Sequence, residues 1–238
     1  MGIFHFKQFS VDDSRCGMKI GTDAVLLGAW TATEHARTIV DAGCGSGIIS
    51  LMMAQRSRAE KIIAVDISHE ACLDATDNAF RSPWNERVEV VENDVTQFFP
   101  VVSHPLLIIS NPPFFNEQLH SPDADRALAR HGNDFTVTEL IAIADRNINH
   151  PDDSLAFIAP TGRTDEIEFQ LSLHRLTVGR ICKVFSREGK ESIRTLWQVW
   201  RESPSAPSLC RDSLYIRDSD NQFSEAYRKL TTDFYLDK

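Results

Sequence analysis

Three glycines at alternate positions, Gly43, Gly45 and Gly47, stand between a β-branched run and a helix-forming one. Thr38–Asp41 reads as a strand and Ile48–Gln55 as a helix, so Asp41-Ala42-Gly43-Cys44-Gly45-Ser46-Gly47 is a tight strand-to-helix turn. Glycine opens backbone angles closed to other residues and lets a ligand approach the main chain closely. The dinucleotide fingerprint G-x-G-x-x-G needs its third glycine at position 48, which is Ile48. The spacing is instead G-x-G-x-G, with Asp41 two residues ahead.

The rest of the chain agrees with a parallel sheet. Short apolar runs alternate with helical stretches, the mark of βαβ units. Strands are expected at Lys61–Ile67, Arg87–Val91, Pro105–Ser110 and Ser154–Ala159, with Pro105–Ser110 almost wholly apolar as a buried central strand should be. Helices are expected at His69–Phe80, capped by Ser68, and at Val137–Asn147 and Glu166–Leu173. Leu176–Phe185 and Ile193–Trp200 form a β-hairpin. After the irregular Glu202–Ser208 come a short strand candidate, Leu214–Arg217, and a helix from Ser224. The expected fold class is α/β: one doubly wound domain over residues 1–238, with an extension at 1–35, a core at 36–201 and a tail at 202–238.

Composition narrows the function. With 25 Lys+Arg against 34 Asp+Glu the chain carries −9, which argues against a protein that coats nucleic acid non-specifically but allows a local basic patch. Five scattered cysteines form no C-x-x-C pair and eight histidines no H-x-x-x-H, so neither a disulfide framework nor a metal site is expected. No apolar run approaches the ~18–20 residues of a membrane span. Met1–Phe9 lacks the core of a signal peptide, so a cytoplasmic location is expected.

Three further motifs fall on strand ends, where an open α/β sheet binds ligands. Asp66 closes the second strand, where a carboxylate can take both hydroxyls of a ribose; a helix-capping or solvated acid is the alternative. Asn93-Asp94 closes the third, with an exposed loop acid as the alternative. Asn111-Pro112-Pro113-Phe114 follows the fourth strand directly. An exocyclic amine or amide is a poor nucleophile because its lone pair is delocalised. The Asn111 side-chain oxygen and the Pro112 carbonyl can accept its two N–H bonds and aim the lone pair, while Phe114 offers a flat face. No cysteine nucleophile lies in this loop.

The turn and the Asn-Pro-Pro-Phe loop together resemble the superfamily of S-adenosylmethionine (AdoMet) methyltransferases. That resemblance implies a Rossmann-like class I fold, a mostly parallel seven-stranded sheet ending in an antiparallel hairpin. It also implies AdoMet contacts at Asp41, Gly43, Gly45, Gly47, Asp66, Ile67, Asn93, Asp94 and Asn111, with chemistry at Asn111, Pro112, Pro113 and Phe114. The opening Phe6-Lys7-Gln8-Phe9 and Met18 to Trp30, Ser82-Pro83-Trp84, and the ending Asn221 to Leu236 resemble the bacterial tRNA1(Val) (adenine-37-N6)-methyltransferase family. By that resemblance Lys19, Thr22 and Asp23 fold over the AdoMet site, although Thr22-Asp23 also suits a helix cap. tRNA is the implied partner, and no obligate protein partner is evident. Phe114 and Phe115 would meet the base, and Arg126, Arg130 and His131 the RNA, with intrahelical pairing such as Asp123 to Arg126 as the alternative. Lys7, Arg163, Arg187, Lys190, Arg194 and Lys229 could widen that patch. Phe114 stands where many relatives carry Tyr, and the Phe form also occurs in guanine-N2 enzymes. Guanine-N2 transfer in ribosomal RNA and glutamine-N5 transfer in protein use the same pocket and remain open. So does a silent AdoMet- or RNA-binding module, though a pure binder has no use for an amine clamp.

Overall fold

The structure, a computed structural model, describes residues 2–97, 99–113 and 135–236. Strands β1 (Phe4–His5) and β2 (Ser10–Val11) pair as a separate hairpin, too short for side-chain alternation to announce. The main sheet holds β3 (Thr38–Ala42), β4 (Lys61–Asp66), β5 (Val88–Glu92), β6 (Leu106–Ser110), β7 (Ser154–Pro160), β8 (Leu176–Arg187), β9 (Ser192–Arg201) and β10 (Cys210–Arg217). Their order is β10-β8-β9-β7-β6-β3-β4-β5. β3 to β7 run parallel, and β9 runs antiparallel to both β7 and β8, giving the expected hairpin. One strand is added to the seven: β10 pairs parallel to β8 from Cys210 to Arg217, longer than the Leu214–Arg217 candidate. Only Leu214 of it is buried, so its pattern is nearly silent in the sequence.

Among the described residues the helices are α1 (Thr22–Trp30), α2 (Ile48–Arg56), α3 (His69–Arg81), α4 (Val137–Asn147), α5 (Thr164–Leu173) and α6 (Glu225–Thr231). Alternate strand residues feed two cores. Ile39, Ile62, Leu107 and Ala156 face the layer of α1, α2 and α6, with α3 beside it through Ala64 and Ala75. Val40, Ile63, Ile108 and Phe157 face α4 and α5. Burial on both faces explains why these strands read as unbroken apolar runs.

Side-chain caps set three helix starts. The Ser68 and Ser224 hydroxyls accept from the N–H groups of Ala71 and Tyr227, and Thr136 with Glu139 forms a capping box. For α1 the Thr22-Asp23 cap does not form: Gly21 occupies the cap position without a side-chain bond, and the helix already includes Thr22. This releases the Asp23 carboxylate for a contact described below. Among the described residues no helix is long and apolar enough to cross a membrane.

Candidate active site

Every parallel strand ends at one edge of the sheet, and the direction of winding reverses between β3 and β6. The glycine turn sits at that switch point. Gly43, Gly45 and Gly47 take φ of 74°, 55° and 79°, the left-handed region that favours glycine. A Cβ on Gly47 would also stand 3.2 Å from that of Ala75. The turn is tied to β4, since the Gly43 and Cys44 N–H groups donate to the Val65 carbonyl at 2.8 and 3.0 Å. Asp66 completes the tie: its Oδ2 accepts from the Gly45 N–H at 2.8 Å and its Oδ1 from the Ser68 N–H at 2.9 Å.

On the other side of the turn, the Ser110 hydroxyl donates to the Ala42 carbonyl at 2.6 Å. That bond fixes the end of β6 against the end of β3 and sets Asn111 opposite the glycines. Asn111 Oδ1 is buried and without a hydrogen-bond partner among the described residues. A buried acceptor left unpaired costs ~1–3 kcal/mol, so this oxygen is poised for a donor that comes from outside.

Two cavities meet here. The larger, about 680 Å³, is walled by Gly43, Gly45, Asp66, Ile67, Asn93 and Asp94 and by Asn111. The smaller, about 370 Å³, is walled by Lys19 to Asp23, the turn, Asn111 and Pro112. Gly43, Gly45, Met18 and Asn111 belong to both.

The sequence-predicted residues fall into three groups. Gly43, Gly45, Asp66, Ile67, Asn93, Asp94, Asn111, Pro112 and Pro113, with Lys19, Thr22 and Asp23, line the cavities. Several carry a second duty. The Asp94 carboxylate accepts from Thr96 and Gln97, and the Lys19 ammonium donates to the carbonyls of Asp13, Ser14 and Cys16. Asp23 pairs with Arg194 at 2.8 Å. Asp41 and Gly47 line neither cavity, Gly47 opening α2 and Asp41 lying fully buried beneath the turn. Phe114, Phe115, Arg126, Arg130 and His131 lie outside the described residues. The structure adds Cys16, Gly17, Met18, Phe135 and Glu139 to the larger cavity. For Phe135 and Glu139 the one sequence signal is the Thr136-x-x-Glu139 spacing of a helix start; Cys16 and Gly17 give none.

Burial dominates the chemistry below the turn. It holds the Cys44 thiol well above its ordinary range, which suits a small filler and not a nucleophile. Asp41 accepts from the Ser50 hydroxyl at 2.6 Å through Oδ2, while Oδ1 has no partner among the described residues. Burial raises this carboxyl from 3.8 to about 7 against the lowering effect of Ser50. Below pH 3.8 folded and unfolded chains both hold the proton. Between there and about pH 7 only the folded chain holds it, so stability falls as pH rises, by at most about 1.4 kcal/mol per unit. Above pH 7 this contribution is constant. Denaturant titrations from pH 4.5 to 8 are expected to show that decline in the wild type and a flatter profile in Asp41→Asn. Parallel profiles would remove Asp41 as the titrating group.

An open, mostly parallel sheet with a glycine turn at its switch point and a closing hairpin is the architecture of Rossmann-like methyltransferases. A predicted O-methyltransferase of Agrobacterium tumefaciens superposes on it with a TM-score of 0.64 over 89% of this chain and 96% of its own, at 22% identity, a likeness of fold alone. Residues 14–152 match the family model of the methyltransferase small domain. A tRNA1(Val) (adenine(37)-N6)-methyltransferase of Aeromonas hydrophila subsp. hydrophila is 40% identical over 235 residues, 98% of this chain and 97% of its own. The protein of the same name from Bacteroides thetaiotaomicron is 35% identical over 235 residues, with the same coverage. The chain belongs to the tRNA1(Val) (adenine(37)-N6)-methyltransferase family.

Proposed function

We propose that this protein transfers the methyl group of AdoMet to the exocyclic N6 amine of adenine 37 in valine tRNA. The carrying observation is Asn111 Oδ1, a buried acceptor without a partner among the described residues, at the junction of the two cavities.

The residues fit AdoMet. Each Asp66 oxygen accepts one backbone N–H and keeps lone-pair capacity for a ribose hydroxyl. Ile67, 58% exposed, offers an apolar surface to a flat base, with Asn93 and Asp94 beside it. The smaller cavity, with glycine backbone on one wall and Lys19 to Asp23 on another, suits the amino-acid end. When bound, AdoMet supplies an electrophilic methyl on a sulfonium. The protein's part is orientation: Asn111 Oδ1 and the Pro112 carbonyl accept the two N–H bonds of the amine and hold its lone pair toward that methyl. Phe114 is assigned the stacking face for the base, and Arg126, Arg130 and His131 contacts to the RNA.

Further cations suit phosphate. Arg163 follows β7, Arg187 ends β8, Lys190 lies in the β8–β9 turn and Arg194 lies near the start of β9, which puts all four at the sheet edge that carries the cavities. Arg163 and Arg194 are held by Glu166 and Asp23 at 2.6 and 2.8 Å. On a chain of −9, RNA affinity concentrated in so small an area is sensitive to salt.

Adenine is favoured over guanine and glutamine by the names and coverage of the relatives, since the amine clamp would serve all three. Incubation with labelled AdoMet and unmodified total tRNA, followed by nucleoside mass spectrometry, is expected to place the label in N6-methyladenosine. Label confined to guanosine would transfer the assignment to guanine-N2 transfer, and tRNA left without label would overturn the tRNA assignment.

A further inference from the structure

Two polar side chains inside α3 have no role in the chemistry above, yet Asp74 is 1% exposed and Asn78 0%. Burying a carboxylate or an amide is unfavourable unless its hydrogen bonds are replaced. Four residues apart, the two share one face of the helix. Their partners come from a segment about sixty residues upstream. Asp74 Oδ2 accepts from the backbone N–H groups of Arg15 and Cys16 at 2.9 and 2.8 Å. Asn78 Oδ1 accepts from the Asp12 N–H at 2.9 Å, and its Nδ2 donates to the Asp12 carbonyl at 2.8 Å. The same Nδ2 donates to the carbonyl of Ser46, inside the glycine turn, at 2.9 Å. Arg81 Nη2 donates to Asn78 Oδ1 at 2.7 Å, so donors and acceptors agree on one orientation of the amide.

What α3 holds in this way is the wall of the cavities. Cys16, Gly17 and Met18 line the larger and Met18 to Ala24 the smaller. The segment is also buckled on itself, because Asp13 Oδ2 accepts from the Ile20 N–H at 2.9 Å and the Lys19 ammonium gathers the carbonyls of Asp13, Ser14 and Cys16. A self-buckled loop shifts as a unit when its mooring is cut. At its far end Asp23 is paired with Arg194 of β9.

We infer that Asp74 and Asn78 are positioning residues: through residues 12–16 they set the N-terminal segment across the glycine turn and so give the methyl-donor site its shape. The inference rests on the assignment of the cavities to AdoMet. Among the described residues Asp74 and Asn78 make no hydrogen bond or ion pair with Asn111, Pro112 or Pro113, so their loss is expected to act on donor affinity and leave RNA affinity alone.

The test compares Asp74→Ala, Asn78→Ala and Asn78→Asp with Asp77→Ala, whose ion pair with Arg15 is half exposed. AdoMet affinity is read by calorimetry, KM and kcat by steady-state assays, and the Cys16 thiol by maleimide labelling with peptide mapping. Buried in the wild type, Cys16 should label slowly there and faster once the mooring is cut, with AdoMet restoring protection. The first three variants are expected to raise the Kd and KM for AdoMet roughly tenfold or more, with kcat and the KM for tRNA little changed. Asn78→Asp keeps size but turns an acceptor toward the Asp12 and Ser46 carbonyls, so it should resemble Asn78→Ala. Asp77→Ala should resemble the wild type. If an alanine variant does not fold, Asp74→Asn, which keeps one acceptor, decides by an intermediate KM. Folded variants with wild-type AdoMet affinity and slow Cys16 labelling would overturn the inference alone. A wild-type protein that takes up no AdoMet would overturn the cofactor assignment and this inference with it.

Discussion

Asn111→Ala is expected to lower kcat by roughly 10²–10³, the usual cost of removing one preorganised group aimed at developing charge. The Kd values for AdoMet and tRNA should stay near those of the wild type. The separation follows from when the bond matters. In the ground state the amine is planar and gives up little by finding its acceptor. As nitrogen becomes tetrahedral and positive its N–H groups become stronger donors, so Asn111 Oδ1 binds the transition state in preference. Stability supplies a second test. Since Oδ1 has no partner among the described residues, truncation removes an unpaired buried acceptor and should leave the melting temperature unchanged or higher. A residue kept for structure would show the reverse. Asn111→Gln retains the acceptor but displaces it by a methylene, and a misplacement of ~1 Å can cost about 10² in rate. Near-normal single-turnover rates in Asn111→Ala would refute the amine clamp for any of the three candidate substrates.

Much of this site was open to inspection in the chain, for identifiable reasons. The glycine turn is legible because its constraint is local: three left-handed residues must stand at alternate positions between a strand and a helix. Asp66 and Asn111 are legible because each ends an apolar run buried on both faces, and a parallel sheet brings such ends to one edge. Asp74 and Asn78 are not. In sequence they belong to the polar face of an amphipathic helix, and their burial depends on backbone groups of Asp12, Arg15 and Cys16. Periodicity carries no information about a partner that far away. The first half of β10, Cys210–Ser213, escapes for a similar reason, since its pairing with β8 is made by backbone and its side chains are exposed. The start of α1 shows a local rule overridden: Thr22 and Asp23 suit a cap by residue type, yet the helix starts from Gly21 and Asp23 pairs with Arg194, 171 positions away.

Asp66→Ala is expected to weaken AdoMet binding by at least roughly a hundredfold, because two hydrogen bonds to a charged group are lost at ~1.5–3 kcal/mol each. The carboxylate has two duties, and they can be separated. Toward the protein it accepts from the Gly45 and Ser68 N–H groups, one per oxygen; toward the cavity it is assigned the ribose hydroxyls. Truncation frees two N–H groups at the cavity rim, where water can replace the lost acceptors, so the fall in melting temperature should be modest. Asp66→Asn is no gentler, because its NH₂ must face one of the two N–H donors, and both binding and stability should suffer. Ribose chemistry distinguishes direct contact from a merely disturbed turn. Wild-type protein should bind S-adenosylhomocysteine more tightly than its 2′-deoxy analogue, since the carboxylate loses one hydroxyl partner. In Asp66→Ala that preference should vanish, because the group that reads the hydroxyl is gone. If the variant binds both ligands weakly yet still prefers the ribose form, Asp66 acts only through the glycine turn and another residue holds the sugar.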